Sequence, residues 1–93
     1  ITVYTGGRHT YASQYATVRT ADGVAVIASD NAYLYENLDR RRPIAQTLDS
    51  LSNLRAQERM LRLASRPALV VPGHDPAVFV RFPAPGGGVA RIR

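Results

Sequence analysis

The chain has 93 residues, 45% of them hydrophobic, with no cysteine and a formal net charge of +5 carried by twelve arginines and no lysine. That length holds one domain at most, near the lower limit for a self-sufficient core, and that hydrophobic content is too rich for a disordered chain. The lack of cysteine excludes a disulfide framework and thiolate chemistry, and no apolar run approaches the roughly 18 residues of a membrane-spanning helix.

Ile1-Thr2-Val3-Tyr4 opens in mid-strand with no initiator methionine, so the chain is expected to be a piece of something longer. Gln14 to Arg19 and Val24 to Ala28 are strand-like runs separated by Thr20-Ala21-Asp22-Gly23. The Asp-Gly pair predicts a hairpin, because both residues tolerate the backbone of a tight turn. The second run is apolar throughout, as in a strand buried on both faces. Tyr33 to Leu38 is a candidate helical turn, and Asp39 to Pro43 a polar connection. Asp49 or Ser50 can cap a helix reaching Ser65. Its apolar face runs through Ala56, Met60 and Leu63, with arginines opposite. Ala68 to Val71 is a short buried strand ending at Pro72-Gly73. A helical turn from Asp75 to Val80 and a last strand from Val89 to Ile92 follow, the latter after a Pro- and Gly-rich stretch. The order β-β-β-α-β-α-β marks an α/β unit.

The charge suggests nucleic acid first. However, Arg55, Arg59, Arg62 and Arg66 step along one predicted helix as a solvated face, and no stacking aromatics interleave with them. Neither nucleic acid nor a membrane is expected as a partner, and the expected location is the cytoplasm.

Three polar residues converge on topological grounds. His9 precedes the first strand of the hairpin and Asp30 follows the second, so both lie at one edge. Asp30 and His74 each follow an apolar strand, with a helix between. A right-handed βαβ crossover makes those strands parallel and brings their C-terminal ends to the same rim, where open α/β sheets bind ligands. Two imidazoles and a carboxylate suit a divalent metal such as zinc.

The ordered set of Gly6 to Gln14 (G-G-R-H-T-Y-A-S-Q), Ser29 to Tyr33 (S-D-N-A-Y) and Val71 to Pro76 (V-P-G-H-D-P) resembles the C-terminal half of a metallo-β-lactamase-fold hydrolase. Within that superfamily it most resembles the N-acyl homoserine lactonase group. His9, Thr10 and Gln14 match the family's T-P-G-H-T-P-G-H-Q stretch, whereas Arg8, Tyr11, Ala12 and Ser13 depart from it. The resemblance implies an α/β fold, the C-terminal half of an αββα sandwich, in which a mixed sheet with a hairpin and a βαβ unit carries two or three helices. Residues 1–93 then form a single partial domain. It further implies metal ligands His9, Asp30 and His74, with Asp30 bridging two zinc-like ions, and Tyr33 contacting the substrate carbonyl. The intact protein is then a metal-dependent hydrolase that cleaves a lactone or ester through a two-metal bridging hydroxide. Asp75 is either an outer-shell orienter of an imidazole or a helix cap.

The family's H-x-H-x-D-H motif has no counterpart in the 93 residues. The chain alone is therefore expected to be inactive, and to pair with an N-terminal half or with itself. The competing expectations are a glyoxalase-type thioesterase fragment and a non-catalytic, self-associating interaction module.

Overall fold

Valine, isoleucine and threonine crowd the segments on either side of Asp22-Gly23, and β-branched side chains favour an extended, pleated backbone. The computed structural model describes residues 1–93. In chain order it contains β1 (Thr2–Thr5), β2 (Gln14–Thr20), β3 (Gly23–Ser29), α1 (Tyr35–Asp39), α2 (Ser50–Leu63), a single 3-10 turn (Pro67–Leu69), β4 (Val70–Pro72) and α3 (Ala77–Arg81). The strands form one mixed sheet in the order β1-β2-β3-β4. The first three are antiparallel neighbours, and β4 lies parallel to β3, as the crossover argument requires. The result is a mixed α/β domain.

The hairpin closes at Thr20 opposite Gly23. Gly23 takes a φ of 120°, and the Thr20 hydroxyl donates to its carbonyl. The predicted last strand is corrected. Val89–Ile92 forms no strand, and only a single bridge joins Ala90 to Pro83. Prolines at 83 and 85 remove backbone donors and Gly86–Gly88 offer no side chains to pack, so Val89–Ile92 has no ladder to join.

The α2 helix covers the sheet face that carries Tyr15, Thr17, Val26 and Val70. Met60, Leu69, Val26 and Val70 are fully buried there. The arginine face is exposed as expected, although Arg59 lies 4.8 Å over the Tyr4 ring. The inward face differs from the apolar reading: Asn53 and Gln57 are fully buried beside Ala56 and Met60, while Leu63 is only half-buried. No helix is long and apolar enough to cross a membrane.

Asp49 caps α2. Its carboxylate accepts from the Leu51 and Ser52 amides at 3.0 and 3.3 Å, and from the Ser52 hydroxyl at 2.8 Å. The Ser52 hydroxyl, more than the amides, holds its carboxyl below the usual carboxylate range. Folding therefore favours the ionised form, and the cap's contribution is present at neutral pH and lost as pH falls through the folded value, below about 4. Asp49→Ala is expected to melt earlier than wild type at pH 7, with the gap closing in acid. Thermal melts followed by circular dichroism check this, and a pH-independent gap overturns it.

Candidate functional site at the rim of β3 and β4

The His9 loop, the end of β3 and the end of β4 meet at one rim. Backbone turns aim each side chain there. Arg8 and Ser29, the residues before His9 and Asp30, both adopt the left-handed region, with φ of 57° and 51°. Such conformations are costly for non-glycine residues and persist only where surrounding structure imposes them. For Arg8 the constraint is visible, because its carbonyl accepts from the Leu48 amide at 2.8 Å and from the Thr47 hydroxyl at 3.2 Å. At the third element, the Gly73 and His74 amides donate to the Ala32 and Tyr33 carbonyls, both at 2.9 Å. A side chain at 73 would meet the Ser29 carbonyl oxygen at 2.6 Å. Only glycine lets β4 approach so closely.

The structure brings all four of the sequence-predicted site residues together. His9 Nε2 stands 3.3 Å from Asp30 Oδ2, and His74 Nε2 lies 2.7 Å from Asp30 Oδ1, so each imidazole faces a different carboxylate oxygen. The Tyr33 ring sits between them, edge-on to His9 at 5.8 Å and to His74 at 5.0 Å between centroids. A cleft of about 310 Å³ opens beside Asp30, lined also by His9, Thr10, Ser13 and Gln14.

Two acceptors flank the His9 ring, the Gln46 carbonyl at Nδ1 and the Asp30 carboxylate at Nε2, and the carbonyl is the nearer. The ring Nδ1 lies 2.7 Å from the Gln46 carbonyl. A carbonyl only accepts, so Nδ1 carries a proton, and a neutral ring leaves the Nε2 lone pair facing Asp30. The Tyr33 hydroxyl, 3.2 Å from the same Nδ1, can only accept there, and its own proton stays free for another acceptor. Burial, and next the Asp30 charge, push the Tyr33 phenol above its ordinary range. It stays protonated at neutral pH and acts as a donor.

His74 is hydrogen-bonded to Asp30 and Tyr33 lies within hydrogen-bond reach of His9, and no group of three or more has the geometry of a ready-made metal cage. The donor set still suits a divalent ion. Two ligands of a tetrahedral zinc, each about 2.0–2.1 Å from it, stand about 3.3 Å apart, which is the His9–Asp30 separation. The His74–Asp30 contact is a hydrogen bond and has to open for both atoms to bind one ion.

Asp75 is a cap. Its carboxylate accepts from the Tyr35 amide at 3.0 Å and the Ala77 amide at 2.9 Å, tying the starts of α1 and α3 together. Three residues that sequence reasoning passed over build the site's support. Gln46 holds the His9 ring through its backbone. Asn31, fully buried, bonds the backbone on both sides of the rim. Asn53 donates from α2 to the Asn31 carbonyl at 3.0 Å. The Gly6-Gly7 pair was the available signal, since paired glycines mark close backbone approach. No protein-family model matches the chain, and neither does any curated protein sequence.

Proposed function

We propose that this chain contributes one side of a metal-dependent hydrolytic site of the metallo-β-lactamase type, most like the N-acyl homoserine lactonases, acting on a lactone or ester. The observation that carries this reading is the one-to-one pairing of two imidazoles with the two oxygens of a single carboxylate. A bridging ligand between two ions needs such an arrangement. His9 would hold one ion through Nε2, His74 the other, and Asp30 both. Bound divalent ions supply Lewis-acid polarisation and bring the acidity of water towards neutrality. The Gln46 carbonyl keeps the His9 proton on Nδ1 and so keeps Nε2 available. Tyr33 donates its free hydroxyl proton to the substrate carbonyl oxygen as negative charge develops on it. Two imidazoles and one carboxylate fill neither ion's ligand set, so the chain alone is inactive in this reading.

The sheet face opposite α2 supports the partner half of the proposal. Val3 is 57% exposed, and Ala16, Val18 and Ile27 beside it are only half-buried. A further layer, as in an αββα sandwich, or a second copy of the chain would cover it.

A calorimetric zinc titration of the chain and of its His9→Ala and His74→Ala forms tests the reading. Binding that weakens in both variants supports it. Zinc taken up equally in all three forms overturns it.

A further inference from the structure

The Asn31 carboxamide makes three hydrogen bonds, all to backbone, and each goes to a different part of the rim. Its Oδ1 accepts from the Gly7 amide at 2.7 Å, two residues before His9. Its Nδ2 donates to the Gln14 carbonyl at 2.8 Å, where the same loop re-enters the sheet, and to the Ala28 carbonyl at 2.9 Å, two residues before Asp30. One side chain thus pins both ends of the His9 loop to the turn that carries Asp30. The fit is close: a Cβ at Gly6 would lie 2.2 Å from Asn31 Oδ1, and one at Gly7 would lie 2.7 Å from the Asn53 Cα. His74 receives no bond from this amide. Its placement comes from Tyr33 and Gly73.

We infer that Asn31 is a positioning residue that sets the His9–Asp30 separation and leaves His74 alone. It acts through His9 and touches neither substrate nor metal. Its consequence for metal binding rests on the hydrolase reading above. The placement of the ring itself does not. Aspartate cannot replace it, because a carboxylate has no proton to give the Gln14 and Ala28 carbonyls.

The test has two arms. In the metal-free chain, imidazole resonances of His9 and His74 are compared between wild type and Asn31→Ala, with Asn31→Ser as the milder variant where the alanine form does not fold. The His9 signals are expected to shift and broaden while those of His74 stay in place. Equal disturbance of both rings, or of neither, overturns the inference. In the second arm, zinc affinity is measured in a double-mutant cycle with His9→Ala. Asn31→Ala is expected to weaken zinc binding by about 10- to 100-fold when His9 is present and to add nothing in its absence, whereas a general structural defect lowers affinity in both backgrounds. The resonance comparison decides the role of Asn31 whether or not any form binds zinc.

Discussion

Asp30→Ala is expected to abolish zinc binding by the chain while leaving it folded. Asp30 is the one side chain whose oxygens face the Nε2 atoms of both imidazoles, so in the proposed site its removal would take a ligand from each ion at once. His9→Ala and His74→Ala each leave Asp30 with one partner, and should weaken binding less. Stability should respond little. The Asp30 side chain is 42% exposed, with His74 at 59% and His9 at 19%, and pairs open to solvent through the carboxylate contribute about 0–1 kcal/mol. A shift in melting temperature of at most about 8 °C follows for a domain this size. Calorimetry and thermal melts on the same preparations separate the two effects. Zinc binding that survives Asp30→Ala at full strength removes the bridging role, and with it the proposed chemistry.

The second large effect lies at Gly73, where the expected outcome is reversed: stability falls and the site fails with it. A Cβ at this position would stand 2.6 Å from the Ser29 carbonyl oxygen and 2.9 Å from its carbon. Both are backbone atoms of β3 and cannot swing aside as a flexible side chain would. Gly73→Val must therefore push β4 away from the end of β3. Overpacking of this severity costs about 3 kcal/mol, on the order of 15 °C in melting temperature for a domain of this length. The displacement also carries His74 away from Asp30, breaking the 2.7 Å contact. A Gly73→Val chain that melts with wild type, with His74 resonances unmoved, contradicts this account.

Much of the frame was legible because the signals are local. The Asp22-Gly23 turn, the apolar run of β3 and the Asp49 cap each depend on residues within a few positions of one another. The edge shared by His9, Asp30 and His74 was legible too, since antiparallel and right-handed parallel pairings leave few ways to arrange those strands. The last strand was misread for the complementary reason. Val89–Ile92 carries β-branched residues as a strand does, but composition says nothing about whether a partner's backbone is within reach.

Polar residues were the least legible. Asn31 and Asn53 drew no reading from their neighbours in sequence, and Asp75 was left between orienting an imidazole and capping a helix. Each role is set by backbone groups far away in the chain. Asn53, for example, accepts from the Ile44 amide at 3.0 Å while donating to the Asn31 carbonyl. Burial makes such bonds obligatory, because an unpaired buried amide costs about 1–3 kcal/mol, but which groups become buried is decided only when the elements pack.

By itself, then, the sequence determined the hairpin, the capped helix and the chemical types gathered at one end of the sheet, because propensity and periodicity act over short spans. The tertiary structure alone decided that His9 and His74 each face a separate oxygen of Asp30, that the Gln46 carbonyl lies against His9 Nδ1, and that a buried asparagine ties the loop to the rim. Those outcomes rest on contacts of 2.7 to 3.3 Å between segments up to 44 positions apart, and no local rule reaches that far.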